Sequence, residues 1–139
     1  MKRLLLAAVL FPSLAFAGGS VTVSHPWFRY LLPQVPAGGY LVLRNASGTP
    51  AILTGASSRA CGSLMLHHSV HESGMDMMKG VKSITVPPRG SFAFSEGGYH
   101  LMCVKPKMTV GKKVPVTLDF ADGMKLRAEF TVSGPQGPK

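Results

Sequence analysis

Histidine and methionine are concentrated in one part of this 139-residue sequence. Four of the five histidines and five of the eight methionines lie between positions 65 and 102: His67, His68, His71, His100, Met65, Met75, Met77, Met78 and Met102. Imidazole nitrogen and thioether sulfur are neutral donors, and thioether sulfur selects copper(I) over zinc, magnesium or calcium. Unlike cysteine thiolates, these donors are not lost to disulfides in an oxidising compartment. The clustering therefore predicts a soft-metal site that holds copper(I).

Local spacing indicates that His100 and Met102 act as a pair. Residues i and i+2 of a strand point to the same face, and Gly97-Gly98 predicts a tight turn directly before them. His67 closes a second β-type run that begins with residues 64–66. We therefore expect two strands to present His67, His100 and Met102 near the rim of the fold.

The methionines that follow Gly74 leave a choice open. Met75, Met77 and Met78 lie on a segment expected to be flexible, so any of them could reach the histidines. Met65 is flanked by leucines and is expected in the core. Of the remaining candidates, His68 and His71 are expected to be solvated, although either could assist the metal, and His25 is expected at the surface.

The elements that must position these side chains are predicted to be strands. Short β-type runs separated by glycine, proline, asparagine and serine recur along the chain. They cover residues 20–24, 39–44, 51–54, 64–68, 81–86, 91–94, 100–105, 113–120 and 125–132. No stretch of ten residues keeps a helical period without a glycine or proline. Eight or nine short strands predict an all-β sandwich or barrel.

The N-terminus is typical of an export signal. Lys2 and Arg3 precede an apolar run over residues 4–16, and Ala15-Phe16-Ala17 places small residues where a signal peptidase cuts. The run is too short for a transmembrane span of about 20 residues. We therefore expect a signal peptide at 1–17, one domain at 18–132, a loose tail at 133–139, and a periplasmic or otherwise exported protein.

Charge and motifs exclude several function classes. The formal net charge is +9, but the basic residues are scattered and no recognition helix or zinc finger accompanies them. Nucleic acid is therefore not an expected partner, whereas a basic surface could steer the protein towards an acidic partner or membrane. Neither a HExxH motif nor a Gly-x-Ser-x-Gly elbow occurs, so we do not expect an enzyme.

Cys61 and Cys103 are the two cysteines of the chain. Export favours a disulfide between them, although two reduced thiols or a contribution to the metal site stay open. Their spacing is not that of a CxxC redox pair. Cys103 directly follows Met102, so it should point to the opposite face of its strand, which argues against direct ligation.

Three segments resemble the periplasmic copper chaperone family PCu(A)C (DUF461-like), whose pattern is H-x10-M-x21-H-x-M. Ten residues separate His67 from Met78, twenty-one separate Met78 from His100, and one separates His100 from Met102. The similarity extends to Trp27-Phe28-Arg29, to 37–45 and to 55–58. All four ligand positions of the family pattern are therefore present.

The resemblance implies a cupredoxin-like Greek-key β-sandwich that binds one copper(I) per chain through His67, Met78, His100 and Met102. It also implies transfer of copper to an acceptor, such as the CuA centre of cytochrome c oxidase subunit II or another copper chaperone. His68 and His71 are extra potential ligands, and the Met/His-rich C-terminal extension of some members is absent.

Two other binding or structural functions are alternatives. An electron-transfer cupredoxin needs a cysteine thiolate beside its histidines, and here the nearby cysteine follows Met102. A metal-free structural sandwich would make the spacing match a coincidence.

Overall fold

The computed structural model describes residues 20–138. This range contains ten strands and no helix, and hence no helix that could cross a membrane. The strands are β1 (Val21–Arg29), β2 (Ala37–Asn45), β3 (Ala51–Ser57), β4 (Ser63–Glu72), β5 (Met75–Gly80), β6 (Ile84–Val86), β7 (Ser91–Phe94), β8 (Tyr99–Val104), β9 (Lys113–Phe120) and β10 (Lys125–Ser133). The predicted signal peptide, residues 1–17, lies outside the described residues.

The prediction of a single all-β domain is confirmed, with one more strand than expected. Strand β5 occupies the segment after Gly74 that was predicted to be flexible, and that prediction is wrong. Strand β4 also continues beyond His68 to Glu72, where it pairs with β5. At the other end of the chain, β10 extends to Ser133, and Gly137 then packs near the Trp27 ring.

Nine of the strands follow one hydrogen-bonded path in the order β5-β4-β8-β2-β1-β10-β9-β3-β6, and β7 pairs with β2 beside this path. Many neighbours are not consecutive in sequence, as in Greek-key proteins. Strands β3 and β4, from opposite halves of the path, contact each other without pairing. The sheet therefore folds around one core instead of staying open.

The core follows from strict alternation of apolar and polar residues. Along β9, Val114, Val116, Leu118 and Phe120 are buried while the residues between them are partly or fully exposed. Across the core, the rings of Phe28 and Phe130 have centroids 5.1 Å apart, and both side chains are fully buried. Each such side chain contributes about 1.5–3 kcal/mol by leaving water.

Gly39 allows β8 to approach β2 closely. It pairs with Phe28 of β1 and Leu101 of β8. A β carbon at this position would lie 2.8 Å from the Phe28 ring and 3.0 Å from the Leu101 β carbon. Because His100 and Met102 flank Leu101, this close packing fixes the strand that carries two of the predicted ligands.

The hairpin of β4 and β5 depends on a two-residue turn. Ser73 and Gly74 both have positive φ values, 52° and 77°, as a type I′ turn requires. Glu72 pairs with Met75 on either side of the turn. The turn sets the register of β5 and therefore decides which of its methionines faces the histidines of β4.

Candidate metal centre

The four predicted ligands lie on one face of three adjacent strands, β5, β4 and β8. His67 of β4 pairs directly with His100 of β8, and Ser69 of β4 pairs directly with Met78 of β5. Directly paired residues share a face, as do residues two positions apart in a strand. Met102, two residues after His100, therefore joins the same face.

The four side chains differ in exposure. His100 is 5% exposed and Met102 is partly buried, whereas Met78 is 63% exposed. Met78, His100 and Met102 line one cavity of about 520 Å³. His67 lines an adjoining depression, with its ring centroid 5.8 Å from that of His100. Three candidate ligands thus share a cavity, and the fourth lies beside it.

Both histidines have a buried ring nitrogen without a hydrogen-bond partner among residues 20–138: His67 Nδ1 and His100 Nε2. The Nδ1 of His100 lies 3.3 Å from the carbonyl oxygen of Gly98. If Nδ1 donates there, Nε2 carries a lone pair. Buried polar atoms are almost always hydrogen-bonded, so two unpaired ring nitrogens on neighbouring strands are suited to a metal ion.

The chemistry of the donor set is soft. Among residues 20–138 no three histidine, cysteine, aspartate or glutamate side chains converge in a way that could hold a metal. A metal held by His67 and His100 would therefore need further donors of another kind. The thioethers of Met78 and Met102 on the same face provide them, and such a set favours copper(I).

Burial keeps His67 neutral. Desolvation, and in second place the charge of His100, lower the pKa of His67 below its ordinary value of 6.5. The unfolded chain therefore binds a proton that the folded chain does not. The contribution to stability is complete above about pH 6.5 and is lost as the pH falls from there through the lowered pKa.

We predict that His67 of the metal-free protein titrates below pH 6.5 in a histidine-ring NMR titration. We also expect the free energy of unfolding to fall with pH in that window, and a His67→Gln variant to show a flatter dependence. Titration of His67 above pH 6.5 would contradict the prediction.

The other methionines of the hairpin face the opposite side. Met77 pairs with Val70 and Met75 pairs with Glu72, so both lie on the face of β5 that Met78 does not share. All three methionines are exposed. The register of the hairpin, and not their accessibility, therefore distinguishes Met78 from its neighbours.

Met65 is not in the core, contrary to the sequence prediction. It is 40% exposed, and it pairs with Met102 across β4 and β8. The alternation of β4 buries Leu64 and Leu66 and turns the residue between them outwards. Met65 therefore lies on the face of the candidate site, next to one of the four predicted ligands.

The two additional histidines have other contacts. The ring of His68 stacks on that of Tyr99, with centroids 4.0 Å apart and planes 4° from parallel. His71 is exposed, and its Nδ1 lies 2.7 Å from Oδ1 of Asp76 near the end of the hairpin. His25 is exposed, at an irregularity in β1.

Cys61 and Cys103 are joined by a disulfide, with Cα atoms 5.3 Å apart. Cys103 is fully buried on the core face of β8, while Met102 points to the other face. The disulfide therefore lies behind the candidate site and connects β8 to the segment that precedes β4.

Sequence reasoning did not identify Arg29, Tyr40 and Glu96 as neighbours of the site. All three line the same cavity as Met78, His100 and Met102. The Arg29 guanidinium lies 3.7 Å from the Glu96 carboxylate. Burial, and then Glu96, raise the pKa of Tyr40, while Arg29 acts in the opposite direction. The Trp27-Phe28-Arg29 segment was the available sequence signal.

The chain is similar to proteins of known sequence and structure over most of its length. The model of the LpqE-like family matches residues 21–132. A relative from Leifsonia xyli subsp. xyli, named "Putative lipoprotein Lxx21020", is 36% identical over 106 residues. That alignment covers 74% of this chain and 63% of the relative, so the chain spans under two thirds of the relative's length.

Two solved structures are also similar. Copper(I)-bound DR1885 from Deinococcus radiodurans is 31% identical, with a TM-score of 0.67, over 86% of this chain and 81% of that one. The copper-bound PCuAC domain from PmoF2 has a TM-score of 0.69 at 24% identity, over 84% of this chain and 95% of that one. The latter establishes likeness of fold alone. With the family match over residues 21–132, these similarities show that the chain belongs to the LpqE-like family of PCu(A)C-like proteins.

Proposed function

We propose that this protein is an exported metallochaperone that binds one copper(I) ion through His67, Met78, His100 and Met102 and transfers it to an acceptor protein. The acceptor would be a copper protein such as cytochrome c oxidase subunit II, at its CuA centre, or another copper chaperone. The copper-binding domain would span residues 18–132, after a signal peptide at 1–17 and before a tail at 133–139. Copper is the cargo of this reaction, and the protein itself performs no catalysis.

The unpaired ring nitrogens of His67 and His100 carry this proposal. They lie on directly paired residues of neighbouring strands, and the cost of leaving them without hydrogen bonds is removed when they coordinate a metal. The similarity to copper(I)-bound DR1885, at 31% identity, supports copper(I) as that metal.

The neutrality of the ligands suits a carrier. Two imidazoles and two thioethers leave the positive charge of the bound ion uncompensated, so an acceptor with thiolate ligands can withdraw it. Met78 lies on β5, every residue of which is exposed, so one of the four bonds to the ion is accessible to an incoming ligand.

The cysteines favour a chaperone over an electron-transfer site. A blue-copper centre requires a cysteine thiolate as a ligand. Both cysteines of the chain are joined in the disulfide, and Cys103 is on the core face. Neither can supply that thiolate.

Location and partner are inferred from the sequence and from the relatives. The signal-type N-terminus and the lipoprotein name of the Leifsonia relative support export. The net charge of +9 favours encounter with acidic surfaces.

An anaerobic titration with copper(I), in competition with a chromophoric chelator, tests the proposal. We expect one ion bound per chain. X-ray absorption should fit a mixed shell of nitrogen and sulfur. Absence of binding, or a shell of oxygen ligands alone, would overturn the proposal.

A further inference from the structure

The cavity beside the candidate metal centre has two different walls. Its floor presents Met78, His100 and Met102, and its rim is formed by the loop between β1 and β2, including Leu31 and Val35. The volume of about 520 Å³ is within the range of about 300–1,000 Å³ that is usual for ligand sites. Leu31 is 40% exposed and Val35 is 36% exposed, so the rim offers apolar surface to a partner.

Arg29 adds a cation with unused hydrogen-bonding capacity. Its Nε atom is buried and has no hydrogen-bond partner among the described residues. Its Nη1 is 3.7 Å from Glu96 Oε1, beyond the distance of a good hydrogen bond. Glu96 therefore orients the guanidinium without satisfying it, and an anionic group that enters the cavity could accept its hydrogen bonds.

Resting on the proposed function, we propose that this cavity is the docking site for the metal-binding loop of the copper acceptor. An acceptor cysteine thiolate would enter beside Arg29, and apolar residues that flank the cysteine would contact Leu31 and Val35. The occupant is a protein segment with a soft anionic ligand, because the cavity combines a cation, an apolar rim and three soft-metal donors.

Transfer would then be a ligand exchange without a change of oxidation state. The thiol loses its proton to bulk water, and its sulfur forms a bond to copper(I). The bond from copper(I) to the Met78 thioether breaks, and the thioether leaves as a neutral group. Met78 is the ligand most able to leave, because it is 63% exposed on an edge strand whereas His100 is buried.

A peptide with two cysteines and apolar flanks is a suitable probe of this site, with the serine analogue as its control. Stopped-flow spectroscopy of the copper(I)-loaded protein gives the rate of transfer. For Arg29→Gln, loss of a hydrogen bond to a charged group is expected to slow transfer roughly tenfold, with little change in copper(I) affinity. Arg127→Gln, on the exposed face of β10, should transfer at the parental rate.

Neighbouring leucines provide a matched pair that does not disturb the Arg29 contacts. Leu31 lines the cavity and Leu32 does not, although Leu32 is the more exposed at 57%. We expect Leu31→Ser to slow transfer to the peptide and Leu32→Ser to leave it unchanged. Equal rates for this pair, or a parental rate for a folded Arg29→Gln variant, would overturn the proposal.

Two further measurements separate this proposal from others. Amide NMR shifts of the metal-free protein on addition of the peptide should map to the cavity, and this holds even if the copper proposal fails. Shifts elsewhere would reject the docking site. Equally fast transfer to glutathione, insensitive to Arg29→Gln and Leu31→Ser, would show that the cavity recognises no protein segment. Concentration-dependent dimerisation that Leu31→Ser abolishes would identify a second copy as the occupant instead.

Discussion

Met78→Leu is expected to bind copper(I) at least roughly tenfold more weakly than the parent protein, because loss even of groups that only orient metal ligands costs about 10–100-fold. Leucine preserves the approximate volume of methionine but has no donor atom. Met78 is 63% exposed, so the free energy of unfolding should change by no more than about 0.5 kcal/mol. Competition titrations and urea unfolding of the same preparations measure both quantities.

Met77→Leu is the matched control for this experiment. Met77 is one residue away on the same strand, but its pairing with Val70 places it on the other face. We expect Met77→Leu and Met75→Leu to retain parental affinity. Met65 lies on the metal face opposite Met102 and could replace a lost thioether, so Met65→Leu/Met78→Leu belongs in the series. Parental affinity in that double variant would remove β5 from the site.

Removal of the disulfide is expected to have the largest effect on stability. Cys61 and Cys103 are separated by 42 residues in sequence. A crosslink that closes a loop of this length restricts the unfolded chain by an amount worth about 4 kcal/mol. Small domains are stable by only about 5–15 kcal/mol. We therefore expect the Cys61→Ala/Cys103→Ala variant to unfold at a much lower urea concentration.

Copper binding separates a structural disulfide from a metal-binding one. If the cysteines only stabilise the fold, the double variant should still bind one copper(I) ion under conditions where it is folded. An unchanged urea midpoint, or two free thiols in protein isolated from the periplasm, would contradict the stabilising role. Loss of copper from a folded double variant would show that the cysteines contribute to the site.

The fold was predictable where burial imposes a pattern. Strands such as β9 alternate strictly between core and surface, and this alternation is visible in the sequence. Strand β5 was missed because all six of its residues are exposed and methionines occur on both faces. The Ser73-Gly74 turn was the signal that could have identified the hairpin, since a serine-glycine pair is a known turn dipeptide.

The site was predictable only in part, for a related reason. The spacing of His100 and Met102 predicts a shared face, because that relation is local to one strand. The pairing of His67 with His100 depends on strands that are far apart in sequence, and periodicity alone does not reveal such pairings. Met65 was assigned to the core because its leucine neighbours dominated the interpretation, although alternation turns it outwards. Arg29 reaches the cavity through tertiary packing alone.

The parallel pairing of β1 with β10 has a consequence for how the chain folds. Trp27 is in register with Thr131, so the seam between these strands joins positions about a hundred residues apart. Such non-local contacts form slowly, on a scale of roughly milliseconds to seconds, whereas an isolated hairpin such as β4–β5 forms in about 1–10 μs. The hairpin that carries His67 and Met78 can therefore exist before the barrel closes. His100 joins it only when β8 docks, so a newly made chain passes through a stage in which the soft donors are present but not yet assembled.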